Sequence, residues 1–289
     1  MFDIIRHRKI WYIISLLIIL PGLVSLALQG LNLGIDFKGG NLVEIRTQAG
    51  VDIQQVRGVV EELGYGASRN VQKSGDDDFI IRTSELSEDE SATLISTLNE
   101  EVGEITLLRN QRVGPVISGE LTYKALLALT VASVLMMIYI TYRFEFKQGV
   151  AAIIALLHDA LIVLGIFSIL QIEVGREFVA AILTIIGYSI NDTIIIFDRI
   201  RENMKNRKKG ETLEGLVNIS LWQTLARSIN TVLTVLFVLV ALYFLGGTTI
   251  KALVLAIMIG VISGAYSSIF NCSPVWVDLK LMEKKGRAH

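Results

Sequence analysis

Four side chains in apolar stretches of this sequence are of types that handle protons and charge: His158, Asp159, Asp192 and Arg227. Asp192 follows Asn191 inside an apolar run that starts at Phe178. At the middle of a membrane helix an aspartate costs ~2.5–3.5 kcal/mol on insertion scales, while each Leu or Ile contributes ~0.3–0.6 kcal/mol in favour. One carboxylate therefore cancels about five or six leucines. A span that carries one usually hides it from lipid, and a proton or ion pathway is the common reason. The competing reading is an interhelical hydrogen bond from Asn191 and Asp192 that only holds helices together.

Depth argues that the four belong to one layer. His158 is eight residues from an apolar edge near Val150, or ~12 Å deep at 1.5 Å per residue. Asp192 is seven residues from the edge near Arg199, hence ~10 Å deep. Arg227 reaches a similar depth if its helix enters near Ser220. Burial disfavours a charged carboxylate and a neighbouring guanidinium favours it, so arginine motion can load and unload a proton. Arg227 cannot surrender its own proton and would serve as a fixed counter-charge. A proton crossing a membrane is worth ~2.3 kcal/mol per 100 mV, enough to bias a two-state helix rearrangement. Gly187 and Ser189 beside Asp192, and Gly260, Ser263 and Gly264 further on, allow close helix approach.

The elements that must position these groups are long and apolar. Of the 289 residues 52% are hydrophobic and only three are proline, with a positive mean hydropathy. This is not the composition of an ordinary soluble enzyme. The single Cys272 excludes an internal disulfide framework. No basic and aromatic patch suggests nucleic acid. Six segments approach the ~20 residues needed to cross a bilayer: about 10–28, 124–142, 150–170, 178–198, 224–245 and 250–273. The first resembles a signal peptide but is too long and lacks a small-x-small cleavage site, and so reads as a retained anchor, residues 1–28.

Lys and Arg placement sets the orientation. With both termini cytoplasmic, the inner segments carry Arg6, Arg8, Lys9, Arg143, Lys147, Arg199, Arg201, Lys205, Arg207, Lys208, Lys209, Lys280, Lys284, Lys285 and Arg287, which is 15 of 27 basic residues. The short outer connections offer Arg176 and Lys251. A basic connection at 199–222 then faces the cytoplasm, and 121–289 holds five spans.

Residues 29–120, outside, carry 16 acidic and eight basic side chains. Leu42–Gln48 alternates as a strand. Asp52–Leu63 follows as an amphipathic helix with Ile53, Val56, Val59, Val60 and Leu63 on one face, ended by Gly64 and Gly66. Ser68–Lys73 and Phe79–Thr83 form a hairpin. Ser87 caps a second helix with Glu90 three positions on, and Ile105–Leu108 is a last strand. The order β-α-β-β-α-β predicts a ferredoxin-like sandwich. The region holds neither His nor Cys, and Asp76-Asp77-Asp78 reads as a solvated turn, so no enzymatic site and no cofactor is expected. Gly34-Ile-Asp-Phe-Lys-Gly-Gly40 lacks the Gly-Lys-Ser/Thr ending of a phosphate loop and reads as a tight turn into the first strand.

Together these stretches resemble the SecD/SecF family of bacterial protein-export membrane subunits, on its SecF side. Gly34–Gly40 is similar to the family signature after the first span, and Val113–Leu121 to its entry into the second. His158-Asp159, Gly187–Asn203, Thr224–Thr231 and Ser267–Trp276 match later blocks. One departure is Arg227-Ser-Ile-Asn-Thr in place of the more usual Arg-Thr-Leu-x-Thr. The resemblance implies a fold that is half of a twelve-helix body of the resistance-nodulation-division (RND) exporters, with Asp192 and Arg227 as proton-coupling residues. It implies SecD as heterodimer partner, the SecYEG channel with its associated subunits, an unfolded preprotein as cargo, and the bacterial cytoplasmic membrane as location. Two other classes stay open: a stand-alone proton-coupled exporter of small lipophiles, which copurification would separate, and a structural subunit without proton coupling, which proton-flux assays of Asp192 variants would separate.

Overall fold

The computed structural model describes residues 2–65 and 71–286, with side chains at 248–249 and 284–286 left aside. Gly66, the first part of the strand expected at 68–73, and Arg287 lie outside the described residues. The chain divides into two compact units, Leu33–Leu126 and Met1–Asn32 with Leu127–His289.

In the first unit a short helical turn α2 (Ile35–Lys38) leads into β1 (Gly40–Arg46), α3 (Ile53–Glu62), β2 (Val71–Lys73), β3 (Asp78–Thr83), α4 (Glu88–Glu101) and β4 (Thr106–Val113). The sheet order is β2-β3-β1-β4 and every pairing is antiparallel. This is the ferredoxin-like order expected from the element sequence. Val43 and Ile45 of β1 and Phe79 and Ile81 of β3 point to one face, where they pack with Val56, Val59 and Val60 of α3 and Leu94 and Leu98 of α4. Two capping boxes start the helices. Asp52 accepts from Gln54 N while Gln55 returns a bond to the cap, and Ser87 Oγ accepts from Glu90 N at 3.2 Å while Glu90 Oε2 accepts from Ser87 N at 2.8 Å. The Ser87 backbone N–H, with its hydroxyl, holds the Glu90 carboxyl below the usual carboxylate range.

β4 is longer than the sequence suggests. Its second half, Arg109 to Val113, is mostly polar, but this is an edge strand paired only to β1, so its side chains need not alternate. A bulge at Glu44/Ile45 leaves Leu108 without an opposite residue. The glycine turn before β1 is required by geometry. Gly40 has φ +127°, and a Cβ there would stand 2.3 Å from the Thr83 carbonyl oxygen.

The second unit contains α1 (Arg8–Leu28), most of α5 (Pro115–Arg143), α6 (Phe146–Leu170), α7 (Arg176–Lys205), α8 (Leu213–Leu245) and α9 (Thr248–Ser267), followed by a π-helical turn Ser268–Cys272 and α10 (Ser273–Gly286). Among the described residues, six helices are long and apolar enough to cross a membrane: α1, α5, α6, α7, α8, and α9 continued through the π turn into α10. α6, α7 and α9 form the buried centre, while α1, α5 and α8 expose most of their surface. Hydropathy underestimates helix length here. α5 starts at Pro115, a residue suited to a first helical position. Most of the expected 199–222 connection is helical, because Arg, Glu, Met and Lys are good helix formers once outside the apolar run. Only 206–212 joins α7 to α8, whose Thr212 caps it by accepting from Gly215 N at 3.1 Å. α1 and α6 cross at Gly22 and Gly165, where a Cβ on either would stand 2.7–2.8 Å from the other's Cα.

Candidate functional site

α6 carries His158 and Asp159 into the centre of the bundle. Asp159 is fully buried at 0% exposure, and its carboxylate meets four groups. Oδ1 accepts from Ser263 Oγ at 2.6 Å and lies 3.0 Å from His158 Nδ1. Oδ2 accepts from Ser189 Oγ and from Ser267 Oγ, both at 2.8 Å. The hydroxyls come from α7 and α9, so one carboxylate ties three helices. Ser263 and Ser267 are four apart and share a helix face. The imidazole continues the chain: His158 Nε2 is 3.1 Å from Ser15 Oγ on α1, Asn271 Nδ2 donates to the same hydroxyl at 2.9 Å, and the ring stacks on Tyr266 with centroids 5.8 Å apart.

Asp192 has a different environment. It is 7% exposed, Oδ1 accepts from Ser228 Oγ of α8 at 2.6 Å, and Oδ2 is buried without a hydrogen-bond partner among the described residues. Arg227, the neighbour of Ser228, is an exposed residue. Among the described residues it makes no ion pair. The structure thus brings His158 to Asp159 and places Ser189, which bonds Asp159, three positions before Asp192. It does not put Arg227 in contact with Asp192. Asn191 and Gly187 point outward on α7. Gly260 and Gly264 do serve close approach, to Ile185 and Ser189 respectively.

The sequence reading missed the hydroxyl and amide set of Ser15, Ser228, Ser267 and Asn271, and took Ser189 and Ser263 only as small residues. The available signal was the i, i+4 spacing of Ser263 and Ser267 inside an apolar helix. The π turn adds to this interior. Ser268 Oγ is 2.9 Å from Thr193 Oγ1 and 3.3 Å from the Ser189 carbonyl oxygen it faces; π turns recur at functional sites. Among the described residues no three His, Cys, Asp or Glu side chains converge as a metal set. Chemically the arrangement offers a fixed, fully bonded carboxylate at 159 and a carboxylate with one open oxygen at 192.

Six apolar helices with a ferredoxin-like unit inserted after the first, and buried carboxylates among the later ones, define a multi-pass membrane protein with an RND-like fold. The pattern described as "Protein export membrane protein SecD/SecF, C-terminal" matches residues 94–282, and the "SecD/SecF GG Motif" matches residues 24–51, whose only adjacent glycines are Gly39 and Gly40. The chain belongs to the SecD/SecF family. It is 45% identical to a protein translocase subunit SecF of Thermobaculum terrenum, over 96% of this chain and 94% of that one. It is 37% identical to protein translocase subunit SecDF of Bacillus subtilis, over 98% of this chain and 39% of that one. The crystal structure of SecDF from Thermus thermophilus, described as a translocon-associated membrane protein, is similar at a TM-score of 0.88 and 35% identity, covering 96% of this chain. This chain spans 38% of that longer one.

Proposed function

We propose that this chain works with SecD as a proton-driven unit that promotes preprotein translocation across the bacterial cytoplasmic membrane. Asp192 takes up and releases the proton, and Arg227 is its counter-charge. His158 and Asp159 form the adjoining pair that keeps α6, α7 and α9 in register. The cargo is an unfolded preprotein emerging from the SecYEG channel. The observation that carries this reading is the buried, unpartnered Oδ2 of Asp192. A buried acceptor without a donor is unfavourable unless a proton or a partner group reaches it.

Further features support the reading. Asn191, Arg227 and Asn230 are exposed on otherwise apolar helices, and polar groups at membrane depth face protein or water rather than lipid. A partner of SecD type would cover them, in keeping with SecDF relatives in which a region like this chain is part of a longer one. The concentration of Lys and Arg at both ends and between α7 and α8 supports cytoplasmic termini and an outer position for residues 33–126.

The test is reconstitution of this chain with SecD and the channel in vesicles. An imposed proton gradient should speed completion of preprotein transport after ATP is removed. Equal transport with and without the gradient would remove the reading.

A further inference from the structure

Asp192 has two chemically different oxygens, and the difference comes from one residue that nothing in the charge pattern marks. Ser228 is 1% exposed, and its hydroxyl donates to Oδ1 at 2.6 Å. Oδ2 is equally enclosed and meets no donor among the described residues. Arg227 cannot set this asymmetry, since it is exposed and out of contact with the carboxylate. Consecutive residues on a helix point about 100° apart, and in this register of α8 it is Ser228 that meets Asp192.

We propose that Ser228 is the positioning residue of the proton site: its hydroxyl fixes Oδ1 and thereby assigns Oδ2 as the oxygen that takes the proton. The inference rests on Asp192 being the proton-binding group. On uptake the new O–H bond forms at Oδ2, and Oδ1 becomes the carbonyl oxygen of the acid and keeps its Ser228 donor. On release the O–H bond at Oδ2 breaks, the proton leaves toward water or a partner group, and the Ser228 bond strengthens because its acceptor is now charged. Ser228 therefore sets how tightly the proton is held, and Ser189, Ser263 and Ser267 do not, because they are directed at Asp159.

Infrared difference spectroscopy on the full chain in lipid nanodiscs reads this directly. The C=O stretch of protonated Asp192 is identified by its loss in Asp192→Asn, then followed against pH. A hydrogen bond to a charged acceptor is worth enough that Ser228→Ala should raise proton affinity about tenfold, one unit on the pH axis, and shift the band frequency. Ser228→Thr, which keeps the hydroxyl, should restore both. A band that is absent, or unmoved in Ser228→Ala, overturns the proposal, as does a Thr variant that behaves like Ala. A purely structural role for Ser228 would change thermal stability without moving the titration. If Asp192→Asn retains gradient-driven transport while Ser228→Ala still moves the titration, the proposed function fails and this assignment stands.

Discussion

Ser189 Oγ donates to Asp159 Oδ2 at 2.8 Å from a position one helical turn before Asp192. One face of α7 thereby holds a closed carboxylate on its neighbour and an open one of its own. The two aspartates share a helix contact but no hydrogen-bond partner, and this separation gives them different expected behaviour.

Asp159→Asn should destabilise the chain. The amide presents N–H groups where two hydroxyls now donate, and only Ser267 has a second acceptor at hand, the Gly264 carbonyl oxygen at 3.2 Å. Each stranded buried donor costs about 1–3 kcal/mol. Asp192→Asn keeps the Ser228 bond at Oδ1 and strands no neighbouring hydroxyl, so it should cost less than Asp159→Asn. Thermal unfolding of both variants in detergent checks this, and equal melting would show that the Asp159 cage is not structural.

Gly40→Ala should loosen the four-stranded sheet. The left-handed backbone and the Thr83 carbonyl 2.3 Å from the added Cβ leave no relaxed solution, and such strain costs of order 1–3 kcal/mol. Limited proteolysis should cut within residues 33–126 faster than in the parent, with cleavage in the helical unit unchanged.

The fold was legible where periodicity and capping agree. Val56, Val59 and Val60 with Asp52 mark one helix whose ends and inner face the structure reproduces, and Ser87 with Glu90 marks the start of a second. The apolar runs likewise find all six long helices, but not their ends. A helix continues as long as its backbone bonds do, and Arg199 to Lys205 extends α7 past the apolar limit. Asp159 and Asp192 stand out in the sequence because a carboxylate in hydrocarbon is unfavourable. Their partners do not, because a serine in an apolar helix bonds its own backbone as readily as a neighbour. Depth counting could not reveal that Arg227 and Ser228 point differently, since depth carries no azimuth.

Arg46 and Asp78 give the ferredoxin-like unit a specific pH response. Nε meets Oδ1 at 2.7 Å and Nη2 meets Oδ2 at 2.9 Å. Hydrogen bonds from Arg46 hold the Asp78 carboxyl below its usual range. A lowered carboxylate contributes stability above its unfolded value of about 3.9, and that stability is lost as pH falls through the folded value. The pair lies near the surface, where solvent screens it, so the effect is small. Arg46→Ala should reduce hydrogen-exchange protection of β1 and β3 amides at pH 7, and the difference from the parent should close in acid.

The connection at 206–212 tests the orientation. A cysteine at Asn206, beside Arg207, Lys208 and Lys209, should resist a membrane-impermeant thiol reagent in intact cells and react once the membrane is opened. Each basic side chain near anionic headgroups is worth ~1 kcal/mol, so the cluster holds its side firmly. Labelling from outside would invert the topology.

The most direct measurement is proton flux through vesicles that hold this chain with SecD and the channel, comparing the parent with Asp192→Asn while a preprotein is in transit. The substitution keeps size and the Ser228 hydrogen bond but removes the titratable group. The account predicts that the variant assembles normally, carries no transport-linked proton flux, and completes preprotein transport no faster with a gradient than without. Parent-like flux and gradient-driven transport by Asp192→Asn would contradict it and leave Asp192 as a residue that only joins α7 to α8.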